Sequence, residues 1–148
     1  MPIGLRFYQT PRASLEVGTD IYAQGDALGT KIELLCPDRG IIRSVTITDV
    51  DDDLIVAVNV WLFVSEPAGI AANSAFALAD ADLELVLGVI PTANFFDAIN
   101  GRVQYESNLG VPYRNEGTGL WLQCELEGAA TPTFAATTDV KIQMLIEH

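Results

Sequence analysis

The chain has 148 residues, enough for one domain and too few for two of ordinary size. Apolar residues make up 49% and charged residues only 19%, which excludes a disordered tail, while twenty acids against eight bases give a formal charge of -12. That surface repels phosphate. The cations Arg6, Arg12, Lys31, Arg39, Arg43, Arg102, Arg114 and Lys141 stand one at a time, so nucleic acid and anionic membrane are excluded as partners and a basic protein surface is not.

Residues 1–19 carry Pro2, Gly4, Pro11 and Gly18 around Leu5, Phe7, Tyr8 and Leu15, with neither a helical nor a strand period. They read as an extended N-terminal arm whose apolar residues lie on the same domain or grip a neighbouring subunit. Residues 20–148 read as a single β domain, in which short apolar runs are separated by turn residues. The run 31–36 ends at Pro37-Asp38-Arg39-Gly40, a turn by composition. Residues 42–48 alternate in part, with Arg43, Val45 and Ile47 on one side and Ser44, Thr46 and Thr48 on the other. Residues 54–64 are apolar at every position but Asn59, which predicts a central strand covered on both faces.

Between residues 75 and 89, Asp82 is placed to cap, Leu83, Leu85, Val86 and Leu87 follow, and Gly88 is placed to stop, so one short helix is expected there. Its acids Asp80, Asp82 and Glu84 favour the start of a helix. Residues 102–108 predict a strand. Farther on, Leu120, Leu122, Cys124 and Leu126 alternate with Trp121, Gln123, Glu125 and Glu127. Val140, Ile142, Met144 and Ile146 then alternate with Asp139, Lys141, Gln143 and Glu147. Two such strands, each with one wet face, predict an antiparallel sheet. The fold class is all-β: an antiparallel β-sandwich or a jelly-roll-like barrel, with one short helix and the extended arm.

The residues offer little chemistry. His148 is the sole histidine and the last residue, so no serine or cysteine nucleophile has a held base. Two cysteines, Cys36 and Cys124, make no zinc or redox motif; each lies in an apolar run and reads as a buried thiol, with one disulfide between strands as the alternative. Asp49, Asp51, Asp52 and Asp53 crowd into five positions but lack the Gly and the distal Glu of a calcium loop, and a solvated hairpin tip or weak cation binding both remain open. Glu106 and Glu125 would suit glycoside hydrolysis only if the fold paired them at a fixed separation. No catalytic, cofactor-binding or metal residue is assigned, and no cofactor is expected. The candidate partner contacts are Leu5, Phe7, Tyr8 and Leu15 in the arm and Trp121 on the wetter side of its strand. The N-terminus lacks a signal-peptide pattern and no apolar window reaches the length of a membrane span, so synthesis in a cytoplasm is expected.

Several segments, in order, carry a resemblance. They are Asp20-Ile21-Tyr22-Ala23 with Asp26 and Gly29, then Gly40-Ile41-Ile42-Arg43-Ser44-Val45-Thr46-Ile47-Thr48-Asp49 leading to Leu62-Phe63. Asn73-Ser74-Ala75-Phe76-Ala77-Leu78-Ala79-Asp80-Ala81-Asp82-Leu83 follows, then Asn108-Leu109-Gly110-Val111-Pro112-Tyr113, Thr131-Pro132-Thr133-Phe134 and Thr138-Asp139-Val140. Over residues 20–147 the chain resembles a family of small proteins encoded among the head genes of tailed bacteriophages. The resemblance implies a virion component: a capsid decoration or cement protein that binds and stabilises the major capsid protein shell, as a homo-oligomer with a trimer expected first. A neck, tail or fibre component and a carbohydrate-binding β-sandwich are the alternatives. The resemblance transfers no catalytic residue.

Overall fold

The structure is a computed structural model that describes residues 4–148; Met1, Pro2 and Ile3 of the expected arm lie outside the described residues. The chain forms an all-β sandwich of two antiparallel sheets with one short helix. Its elements are β1 (Phe7–Gln9), β2 (Ala13–Ser14), β3 (Ala27–Leu35), β4 (Arg39–Asp49), β5 (Val58–Phe63), α1 (Asp80–Leu83), β6 (Val86–Thr92), β7 (Phe95–Asp97), β8 (Arg102–Glu106), β9 (Val111–Arg114), β10 (Gly119–Leu126) and β11 (Val140–Glu147).

Seven strands make one sheet in the order β1-β11-β4-β8-β7, with β2 also on β11 and β9 also on β4; four make the other, in the order β3-β10-β5-β6. The core between them follows from alternation. Leu120, Leu122, Cys124 and Leu126 of β10 and Val58, Val60 and Leu62 of β5 point inward from one sheet. Val140, Ile142, Met144 and Ile146 of β11 and Ile42, Val45 and Ile47 of β4 meet them from the other. Tyr22 and Phe134 close one end of the core edge to face, with ring centroids 5.7 Å apart, and the Tyr22 hydroxyl accepts the Gly18 N–H at 2.5 Å.

Four sequence expectations are corrected. The residues around Leu15 do not project as a contact arm: β2 pairs with β11, the Leu15 N–H donates to Val140 O at 3.0 Å, and the Leu15 side chain is fully buried in the core. Gly29 makes this docking possible, because a Cβ there would sit 1.9 Å from the Leu15 carbonyl oxygen and the residue holds φ at +80°. Arg43 does not share a side with Val45 and Ile47. β11 pairs Leu145 with Ser44 but Ile146 with Ile42, so Arg43 is the extra residue of a bulge, turned outward to bind Glu147.

The short helix is confined to Asp80–Leu83, and Val86, Leu87 and Gly88 belong to β6, where β5 supplies the hydrogen-bonding partner. Asp82 is inside that helix, not at its cap. The central apolar strand is likewise shorter than expected, Val58–Phe63, with Leu54 and Val56 buried in the preceding loop.

Candidate functional site

The two sheets differ in what lies over their outer faces. On the four-stranded sheet, Asn59, Trp61 and Phe63 of β5 and Trp121, Gln123 and Glu125 of β10 point outward and residues 64–79 run across them. Gln123 fixes the crossing: its side-chain oxygen accepts the Ile70 N–H at 3.0 Å, and its amide nitrogen donates to Ile70 O at 2.6 Å and Gly29 O at 3.1 Å. Asp82 accepts the Ala68 N–H at 2.7 Å and the Gly69 N–H at 3.2 Å, so its buried carboxylate is consumed by two backbone donors. Lys31 donates to Pro67 O at 2.7 Å, pairs with Glu66 at 2.8 Å and lies over the Trp121 ring. Phe76 stacks at a tilt on Trp61, which also donates to Glu125 at 2.9 Å. The wetter side expected for Trp121 is therefore covered, and Trp121 itself is half-buried.

Among the described residues no segment crosses the outer face of the seven-stranded sheet. Rows across it are set by register: Gln9, Leu145 and Ser44; Gln143, Thr46 and Tyr105; Lys141, Thr48, Val103 and Phe96. Phe7 continues the face at its edge opposite Glu147. Phe7 is 60% exposed, Phe96 57% and Tyr105 40%, with Leu145 and Val103 half-buried between them. A hollow joins Phe7, Leu145, Tyr105 and Leu109 into one apolar surface. Among the paired strands, Glu147 is the sole carboxylate on this face, and Arg43 neutralises it. On a chain of charge -12, the face is nearly free of acid.

The sequence candidates therefore part company. Phe7 lies on the open face, and Leu5, 72% exposed, stands beside a separate hollow with Ile41 at the opening end of β4. Tyr8 pairs with Ile146 and turns toward the sandwich, half-buried, with its ring edge-on to His148 at 6.5 Å. Arg6 and His148 exchange backbone hydrogen bonds of 3.3 and 2.9 Å. Leu15 is core and Trp121 is covered. Phe96, Val103, Tyr105 and Leu145 were not among the sequence candidates. Leu145 carried a signal, since it interrupts the polar side of its alternating strand; the others depend on strand order.

The acidic loop is a structural latch. Asp49 is buried and its two oxygens accept the N–H groups of Asp51 at 3.0 Å, Asp53 at 2.7 Å and Leu54 at 2.7 Å. Asp52 binds Arg102 at 2.9 Å, and Asp51 accepts the Ala135 N–H at 3.0 Å. Asp139, beside Asp51, is held above the ordinary carboxylate range by burial first and by its acidic neighbours second. Asp53 is raised for the same two reasons. Among the described residues no group of three or more His, Cys, Asp or Glu side chains is gathered to hold a metal ion.

Cys36 and Cys124 are free thiols; burial raises both, the Cys124 thiol to about 12. Glu106 and Glu125 sit on different sheets, one accepting the N–H groups of Ala93 at 2.7 Å and Asn94 at 3.0 Å and the other holding Trp61. Among the described residues no helix is long and apolar enough to cross a membrane. The arrangement is chemically suited to surface contact. No protein-family model matches the chain, and no curated protein sequence matches it.

Proposed function

We propose that the chain is a virion structural protein of the capsid surface, a decoration or cement protein that attaches to the assembled major capsid shell and acts by binding, not catalysis. The observation that carries this reading is the open, acid-poor outer face of the seven-stranded sheet, which presents Phe7, Phe96, Val103, Tyr105 and Leu145 on an otherwise acidic molecule. Aromatic residues set among polar groups, with Lys141 and the Arg43–Glu147 pair as the face's charges, suit a protein interface. The segmental resemblance to tailed-phage head proteins supplies the partner.

The size of the face fits that role. Five strands about 4.8 Å apart span only ~20 Å across, and the rows from Glu147 to Lys141 run ~20 Å along them, an outline of about 400 Å² against the roughly 800 Å² per partner of a free-standing complex. Attachment through such a face gains strength from repetition, because a homo-oligomer engages several shell subunits at once. A trimer at a threefold position is the expected arrangement. Binding only the assembled shell stabilises it by mass action.

Quantitative mass spectrometry of purified particles tests the reading. A copy number comparable with that of the major capsid protein is expected. A few copies per particle would move the chain to the neck, tail or fibre, and its absence would overturn the virion assignment and make glycan binding the next question.

A further inference from the structure

The hairpin between β7 and β8 sets an asparagine before a glycine at an exposed turn, and Asn100-Gly101 is the one such pair in the chain. Ile99, just before it, holds φ at +73°, and the Asn100 N–H donates to Ala98 O at 2.9 Å, which closes a tight three-residue turn. The Ala98 N–H donates to Gly101 O at 2.9 Å, and the Asp97 side chain accepts the Ile99 N–H at 2.8 Å. None of these bonds uses the Gly101 N–H. Among the described residues that N–H has no acceptor, and the exposed side-chain amide of Asn100 makes no hydrogen bond.

Packing explains the glycine. A Cβ on residue 101 would lie 2.8 Å from Asp49 O, so the hairpin can lie against the end of β4 only with glycine there. The same missing side chain leaves the Gly101 nitrogen open to the amide carbon of the residue before it. The other asparagines lack this combination. Asn59, Asn94 and Asn115 donate from their side-chain amides to Glu125, Glu106 and Pro37 O, and Val60, Phe95 and Glu116 follow them. Asn73 and Asn108 precede Ser74 and Leu109, whose side chains crowd the backbone nitrogen.

We infer that Asn100 is a site of spontaneous modification, converted through a cyclic imide to a mixture of aspartyl and isoaspartyl residues. The Gly101 nitrogen attacks the side-chain amide carbon of Asn100, an intramolecular step favoured by proximity. The new C–N bond closes a succinimide ring, the Gly101 N–H proton passes through solvent to the departing amide nitrogen, and ammonia leaves. Water then opens the ring at either carbonyl. Opening at the former side-chain carbon restores the ordinary backbone as an aspartyl residue. Opening at the main-chain carbon leaves an isoaspartyl residue, with the chain running through Cβ and Cγ and one atom longer. Either product adds a carboxylate to the tip, and water is the sole co-reactant.

Incubation of the full, folded chain in mildly alkaline buffer, followed by peptide mass mapping, tests the inference. The peptide holding Asn100 gains the mass difference between an amide and an acid about tenfold or more faster than any other asparagine-bearing peptide. A fraction of that product carries the isoaspartyl link, read by electron-based fragmentation. Asn100→Gln, whose ring would be larger and closes far more slowly, stays unmodified at that position over the same period and melts with the wild type, because the side chain is exposed and unbonded. An unchanged Asn100 peptide, conversion no faster than at the other asparagines, or an Asn100→Gln chain converted as fast as wild type would each overturn the inference. So would an exclusively aspartyl product, because direct hydrolysis of the amide leaves no isoaspartyl residue.

Discussion

The two sheets of the sandwich present outer faces of opposite character: the four-stranded one is closed by the chain and the seven-stranded one, among the described residues, is open. Over the four-stranded sheet, residues 64–79 bury Phe63 and Gln123 and half-bury Trp61 and Trp121, and the crossing is fastened by Gln123, Asp82 and Lys31. Over the seven-stranded sheet, Phe7 and Phe96 are more than half exposed and Tyr105 is 40% exposed, with no segment of the described residues above them. The difference teaches where to look for a partner. Apolar side chains on the first face are satisfied within the molecule, and those on the second are not.

The sharpest way to break this comparison is to cut the fastening. Gln123→Ala removes the partners of Ile70 N–H, Ile70 O and Gly29 O in a buried setting, and a loss of about 3 kcal/mol in urea unfolding is expected. Amide exchange of residues 68–70 should rise with it. Unchanged stability would mean that the crossing segment is not held through Gln123.

Asp82→Asn is expected to cost about 1 kcal/mol in the same measurement, because the amide keeps one acceptor oxygen where the carboxylate used two. On the open face, Phe7→Ser with Tyr105→Ser should cost no more than about 1.5 kcal/mol, since Phe7 is 60% and Tyr105 40% exposed and neither leaves a buried polar group unpaired. A loss as large as that of Gln123→Ala would show that the face is structural, and the contrast between the sheets would collapse.

The smallest effect concerns the acids gathered at the end of the seven-stranded sheet. A carboxyl raised in the folded state favours folding when protonated, so the contributions of Asp139 and Asp53 are present below the ordinary carboxylate range and are lost as pH rises through their raised values. Asp139→Asn keeps an acceptor for the Ala136 N–H, which sits at 2.6 Å, and removes the repulsion from Asp51 and Asp49. A rise in Tm of about 2 °C at neutral pH is expected, disappearing in acid; an equal rise at both would sink the electrostatic explanation.

How much of this was legible in the sequence follows from where each signal is encoded. The inward sides of β10 and β11 were readable because strict alternation survives in strands paired along both edges. The bounds of the helix were not, because Leu85, Val86 and Leu87 suit a short helix locally while pairing with β5 draws Val86 onward into β6. The outward turn of Arg43 depends on a bulge against Ile146, and the burial of Leu15 on a strand far along the chain, and neither leaves a local trace. Of the open face, Phe7 was recognisable as an apolar residue without a local partner. Phe96, Val103 and Tyr105 become neighbours of it only through the order β1-β11-β4-β8-β7, which no residue pattern announces.

The most direct test of the proposal that the open face docks on a capsid shell is cosedimentation of the chain with purified shells of the particle proposed to carry it. The wild-type chain and the Gln123→Ala variant, at a temperature where both are folded, should bind alike, while Phe7→Ser with Tyr105→Ser should lose attachment at full retention of fold. Binding of that double variant at the wild-type level would contradict the account.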